Sequence, residues 1–274
     1  MPARSQYDFV MAATYLDTIV DAHRARAARD SRDWRARLGH VRYEGPSFVE
    51  ALERDRHHVA VIAEVKRRSP SKGWIAEGLD ARALAREYEA GGAAALSVLT
   101  DVDFFSGSVD DLRDVRETVD VPVLRKDFTV SANDVLDAAQ MGAAAVLLIV
   151  AALDDAELEQ FLEVARVCHL DALVEVHDAD EVRRALGVGA RIVGVNQRDL
   201  RTFDIDVHRA AELIAGIPPD VLAVAESGLG DVASVTRVAR SGADAVLVGE
   251  TFVRSASPRA SVRDFASVER HSRG

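Results

Sequence analysis

The chain of 274 residues has a single cysteine, Cys168, and so closes no internal disulfide. One thiol also supplies no cysteine zinc cluster, and both points suit a reducing compartment. No apolar run approaches the roughly 20 residues of a membrane span. The opening stretch, MPARSQYDFVMAATYLDTIV, is broken by Asp8 and Asp17, which leaves no signal-peptide core. Basic residues are the minority, with 34 Lys and Arg against 45 Asp and Glu and a net charge of −11. That balance argues against nucleic acid or an anionic membrane as partner. It leaves open a small anionic substrate, which feels only the local field of its site. With 17 Gly and 7 Pro the chain is neither fibrous nor of low complexity. These absences predict a cytoplasmic globular protein, long enough for a (β/α) barrel of about 250 residues.

What the sequence does contain is repetition. Eight short apolar runs rich in β-branched residues recur: VAVIAEV (59–65), AALSVLT (94–100), VPVLRKD (121–127), AAVLLIV (144–150), DALVEV (171–176), RIVGVNQ (191–197), VLAVAES (221–227) and DAVLVGE (244–250). Most are continuously apolar rather than alternating, as in strands of a parallel sheet buried on both faces. Amphipathic helical patterns lie between them. Ser131 with Asp134, and Asp178 with Glu181, have capping-box spacing, and Ser257-Pro258 reads as a helix start. Gly-Ala pairs at 92–93, 142–143, 189–190 and 242–243 precede every second run. Each glycine can take the left-handed conformation that ends a helix. Four double strand–helix units with right-handed crossovers close most naturally into a (β/α)8 barrel. A doubly wound open sheet is the alternative, but no GxGxxG follows the first run.

Residues 1–58 precede the first run. FVMAATYLDTIV and PSFVEALERDR (46–56) read as helices, with an Arg-rich stretch at 24–37 between them. The expectation is an N-terminal helical extension packed across the bottom of a barrel spanning 59–274. The closing HSRG is expected to fray.

In a (β/α)8 barrel the chemistry sits at the C-terminal ends of the strands. Polar residues gather where these runs end: Glu64 and Lys66, Lys126 and Asp127, Glu175 and His177, Asn196 and Arg198, Glu226 and Ser227, Gly249 and Glu250. A charge inside an apolar strand is costly unless it is paired or functional, so several at strand exits point to a site. The turns ESGLG (226–230) and VGE (248–250) bring glycines to the positions where barrels often bind phosphate. There Ser227 offers a hydroxyl, while the Glu250 carboxylate must turn away and leave its N–H. The basic loop RRSPSKG (67–73) reads either as a solvated loop or as an anion-binding lid. In DFFSGS (103–108), Phe104 and Phe105 either pack on loop neighbours or cover an aromatic substrate.

Together these segments resemble the indole-3-glycerol-phosphate synthase family over about residues 59–255. The resemblance is carried by IAEVKRRSPSKG (62–73), LTDVDFFSGS (99–108), VLRKDF (123–128), LVEVHD (173–178), GVNQRDLRTF (194–203), VAESG (224–228) and VLVGE (246–250). It implies the conversion of 1-(2-carboxyphenylamino)-1-deoxyribulose 5-phosphate to indole-3-glycerol phosphate, with loss of CO₂ and water and without metal or organic cofactor. By motif, Lys126 would be the general acid and Glu175 its acid/base partner in dehydration. Glu64 would position Lys126 by charge and hydrogen bonding, and Lys66 would bind anionic groups. Asn196, Arg198 and Glu226 would hold the carboxylate, amine and hydroxyls. Ser227, Gly228, Gly249 and the Glu250 backbone would cradle the phosphate, where Glu250 and Thr251 replace serines common in the family. Ser69, Ser71 and Phe105 complete the substrate-binding set, and the resemblance favours a monomer. A different phosphate barrel, such as phosphoribosylanthranilate isomerase, would need a cysteine–aspartate pair, whereas Cys168 falls in a helical pattern. A non-catalytic scaffold would have lost part of this polar set. The cations Lys66, Lys126 and Arg198 are expected at the mouth, with Arg67, Arg68 and Lys72 beside them. Excess acid is expected on outer helices such as DDAELEQ (154–160).

Overall fold

A computed structural model of the chain describes residues 14–69, 72–198 and 205–273. Its strands are β1 (Ala60–Val65), β2 (Arg68–Ser69), β3 (Gly73–Trp74), β4 (Ala95–Leu99), β5 (Val123–Lys126), β6 (Ala145–Ile149), β7 (Asp171–Val176), β8 (Ile192–Asn196), β9 (Leu222–Glu226) and β10 (Ala245–Val248). Before β1 come helices α1 (Tyr15–Ala27), α2 (Trp34–Arg37) and α3 (Phe48–Glu53). The crossover helices are α4 (Ala81–Gly91), α5 (Val109–Arg116), α6 (Ala132–Met141), α7 (Asp155–Val167), α8 (Ala179–Gly187), α9 (Val207–Ala215) and α10 (Val232–Arg240). The short α11 (Glu250–Val253) and then α12 (Pro258–Ala266) follow the last strand.

Each of the eight apolar runs supplies one parallel strand of a closed barrel, in the order β1-β10-β9-β8-β7-β6-β5-β4, with β4 pairing back to β1. Strands β1, β4, β6, β9 and β10 are buried along their whole length, as continuous apolar runs demand. The turns into the helices repeat one device. Asp80, Ser108, Ser131, Asp154, Asp178, Asp206 and Asp231 each accept a backbone N–H of the helix they begin. At Ser131 and Asp178 the reciprocal bond differs from the expected box. The carboxylates of Asp134 and Glu181 accept the N–H of Val130 and His177, one residue before the cap. The four Gly-Ala glycines all take positive φ, between 80° and 94°, where each helix hands over to the next strand.

Three expectations need correction. The first helix extends through Arg24 and Arg26 and lies at the mouth, where Tyr15, Leu16 and Ile19 line the central cavity. Helix α3 sits at the bottom, where Asp171 at the start of β7 accepts Ser47 Oγ at 3.2 Å and Val49 N at 3.0 Å. Residues 9–13 of the expected helix lie outside the described residues. The C-terminal tail is anchored rather than frayed. The guanidinium of Arg273 pairs with buried Asp244 at 2.7 Å, and Arg270 pairs with the same carboxylate. Composition hid this, because a terminal arginine reads as solvated until its partner is known. The loop after β1 contains the antiparallel hairpin β2–β3. Its Arg67 turns away from the mouth to Asp111 Oδ1 at 2.9 Å and Leu79 O at 3.0 Å, so that arginine joins a structural pair instead of an anion-binding lid.

Candidate active site

The barrel opens at its C-terminal end onto a cavity of about 590 Å³. Glu64, Lys66, Ser69, Phe105, Lys126, Glu175, Asn196, Arg198, Glu226, Ser227, Gly228, Gly249 and Glu250 all line it. Of the residues singled out from sequence, only Ser71 lies outside the described residues. The gathering follows from barrel geometry. Interior side chains stack in layers contributed by alternate strands. Glu64, Lys126, Glu175 and Glu226 come from β1, β5, β7 and β9, which alternate around the barrel. They form one charged layer where the layers below are apolar.

At its centre Lys126 Nζ donates to Glu175 Oε2 at 3.0 Å and to Glu226 Oε2 at 2.8 Å. Glu64, expected to bond Lys126, instead holds Lys66 Nζ at 2.5 Å. Residues two apart on a strand share a face, so Lys66 is the nearer cation. Glu64 still acts on Lys126 through its charge. Burial alone lowers the Lys126 pKa, but the charges of Glu175, Glu226 and Glu64 outweigh it and raise the value above that of a free lysine. The ammonium therefore keeps its proton.

The two carboxylates on Lys126 diverge. Burial raises both, yet Glu175 also faces Lys126 and His177 and accepts Asn196 Nδ2 at 3.1 Å, so its pKa falls well below the usual range. Glu226 is pushed up to about 7 by burial and by the Glu175 charge, against the opposing pull of Lys126. Its Oε1 is buried with no hydrogen-bond partner among the described residues. It packs against Gly194 of β8, where any added Cβ would collide with that oxygen. Gly249 likewise makes room for Glu64, whose Oε1 lies 2.5 Å from where its Cβ would stand. Two carboxyl groups with separated pKa values on one lysine make an acid–base set.

Sequence reasoning assigned no role to Gly194, although a glycine inside an apolar strand signals close approach by another group. His177 was visible at a strand end and was also given no role. Its Nδ1 lies 3.0 Å from Glu181 Oε2 and its Nε2 3.4 Å from Glu175 Oε1. Burial opposes its protonation, but Glu175 and Glu181 raise its pKa to about 10.

The other wall of the cavity comes from the turns after β9 and β10. Ser227 has φ of +67°, unusual for a residue with a side chain, and Gly228 follows at +69°. Glycine at such a turn lets backbone N–H groups approach a bound anion closely. Gln197 Nε2 supports the turn by donating to Ser227 O at 2.8 Å. Thr251 Oγ1 ties the two turns together through Leu229 O at 2.8 Å. The Glu250 carboxylate is turned to Arg254 at 3.1 Å.

Of the paired phenylalanines, Phe105 lines the cavity and packs on Phe128 at 6.0 Å, whereas Phe104 meets Tyr15 of α1 at 6.0 Å. Both are set by Asp101 Oδ1, which accepts their backbone N–H groups at 2.7 and 3.1 Å. His23 of α1 reaches the other oxygen of Asp101 at 2.9 Å. His23, Asp101 and Asp127 are close enough to suggest a metal triad. Yet every carboxylate oxygen in it already accepts a donor, Arg125 among them, so the cluster works as a clasp between α1 and the barrel. Cys168 is buried at the end of α7 beside Tyr43, away from the cavity, and burial pushes its thiol pKa up.

Fold and cavity together define a (β/α)8-barrel enzyme whose polar machinery sits at the carboxyl ends of its strands. The family model described as indole-3-glycerol phosphate synthase matches residues 15–265, and the chain belongs to that family. Similar relatives bear the same description. One from Kineococcus radiotolerans is 46% identical over 261 residues, covering 95% of this chain and 90% of its own. One from Micrococcus luteus is 52% identical over 210 residues, covering 77% and 78%. Among solved structures, 3-hexulose-6-phosphate synthase aligns with a TM-score of 0.62 at 16% identity, covering 76% of this chain and 99% of its own. Thiamine phosphate pyrophosphorylase from Pyrococcus furiosus aligns at 0.57 with 16% identity, covering 77% and 95%. At that identity these two speak for the fold alone.

Proposed function

We propose that this chain closes the indole ring in tryptophan biosynthesis, acting as a carboxy-lyase on 1-(2-carboxyphenylamino)-1-deoxyribulose 5-phosphate. The observation that carries the reading is Lys126, a mostly buried ammonium in the cavity between Glu175 and Glu226. The carboxylated ring carbon attacks the ribulose carbonyl, and Lys126 donates a proton to the oxygen as negative charge develops there. Loss of CO₂ returns the bonding electrons to the ring. Loss of the new hydroxyl as water, with one further proton, completes the indole.

Glu175, held ionised, is suited to accept that proton, and Asn196 fixes its orientation. Glu64 holds Lys66, which faces the anionic groups of the substrate. Arg198 and Glu226 take the carboxylate, amine and hydroxyls. Ser227, Gly228, Gly249 and the Glu250 N–H take the phosphate, Ser69 and Ser71 are assigned to substrate binding by motif, and Phe105 covers the aromatic ring. Intramolecular ring closure gains most from orientation, and a positioned acid adds roughly 10²–10⁴-fold.

We read residues 1–58 as one functional unit with the barrel at 59–274, since α1 contributes to the cavity wall. The family resemblance favours a monomer. No helix among the described residues is long and apolar enough to cross a membrane. That and the acidic balance suit a cytoplasmic enzyme of a small phosphorylated molecule, without nucleic-acid or membrane partner. The test is fluorescence detection of indole-3-glycerol phosphate from synthetic substrate. Steady product formation is expected, and folded protein that yields none overturns the reading.

A further inference from the structure

We infer that His177 is a positioning residue for the reaction, which holds Glu175 in place and ionised through a buried relay running Glu181–His177–Glu175. The inference rests on Glu175 serving as acid/base partner. His177 follows β7 directly and is mostly buried, with a side chain 12% exposed. Both ends of its ring face carboxylates. Nδ1 is 3.0 Å from Glu181 Oε2, and the same oxygen accepts the His177 backbone N–H at 2.7 Å. This double contact fixes the ring on the first turn of α8. Asp178 caps that helix by accepting the Glu181 N–H at 2.8 Å. The relay is thus built from the local chemistry of one strand–helix turn.

At the other end, Nε2 stands 3.4 Å from Glu175 Oε1, within ion-pair range, but it makes no aligned hydrogen bond and is buried without another partner among the described residues. A buried donor aimed at a carboxylate and not quite engaged is free to close when charge on that carboxylate changes. The groups facing Glu175 are Lys126 from β5, Asn196 from β8, Glu226 from β9 and His177 itself. Among them Lys126 and His177 are cations, Asn196 is neutral, and Glu226 opposes. Lys126 is committed to the carbonyl oxygen, so His177 is the second cation on Glu175 and stands outside the ring-closing step. Glu181 and Glu175 are the charges facing His177.

The test compares wild type, His177→Ala, His177→Gln and Glu181→Gln in turnover across pH, together with ¹⁵N NMR titration of the histidines. Wild-type turnover tests the assigned activity on its own, so failure there is distinct from failure here. We expect His177→Ala to lower kcat by about tenfold near neutrality, with KM within about threefold. The deficit should widen as pH falls toward about 5, because Glu175 without its second cation takes up a proton more readily. His177→Gln, which keeps a donor without charge, should regain activity on the alkaline side only. The wild-type His177 ring should stay protonated beyond pH of about 8, and Glu181→Gln should lower its midpoint. A kcat–pH profile of His177→Ala parallel to wild type overturns the inference. Should that variant not fold, a wild-type His177 ring titrating at the ordinary histidine value, or one unmoved by Glu181→Gln, overturns it instead.

Discussion

A lysine ammonium buried between two carboxylates holds its proton more firmly than one in water, and Lys126 is such a group. The sequence points to it, because a charge at the end of an apolar strand is costly unless it is paired or functional. Its partners are not legible in the same way. Barrel closure, not chain proximity, brings Glu175 and Glu226 to its Nζ, while the expected partner Glu64 is captured by Lys66 two residues on. Gly194 carries the corresponding prediction. Gly194→Ala should push the Glu226 carboxylate off its place and lower kcat by about 10²-fold, with the melting temperature changed far less. Ser227→Ala should mainly raise KM, because phosphate contacts are largely uniform between ground and transition states. A loss confined to kcat would contradict it. Glu226, with a pKa near 7, is neutral below that pH and anionic above it. A neutral carboxyl repels an anionic substrate less, so KM should fall from about pH 8 to about pH 6, and Glu226→Gln should flatten that trend.

At the scale of elements, the strands were the most legible part, since eight apolar runs became eight barrel strands. The helix before the barrel was legible as a helix but not in its place. Amphipathic spacing shows that a face is buried, not against which end of a barrel. Its location is set by the clasp of His23 on Asp101, which also pins the backbone of Phe104 and Phe105. His23→Ala should therefore loosen the aromatic wall and raise KM by about tenfold. Asp101→Asn should do the same, and the double variant should lose less than the sum, with a coupling of about 1 kcal/mol. Additive losses would sever α1 from that wall.

Across the whole molecule, the two ends of the barrel divide the work. The mouth carries charges that stability alone would not select, and the bottom carries the ties that compensate. Asp244 is one of these. It accepts the Ala223 N–H at 2.7 Å and binds Arg273, so the last residues close the barrel's lower edge. Arg273→Ala should lower the unfolding free energy by about 2 kcal/mol without changing kcat, as denaturant unfolding will read. The net charge of −11 is likewise a property of the whole, not of the cavity. Lys66, Lys126 and Arg198 converge at the mouth, while Asp155 and Glu159 lie exposed on α7. Lys126 is proposed to drive ring closure and only secondarily to bind substrate. Its most direct test is Lys126→Ala, with substrate affinity and product fluorescence measured on the same preparation. Affinity is expected within about one order of magnitude of wild type, with no indole-3-glycerol phosphate formed. Near-normal turnover in that variant would contradict it.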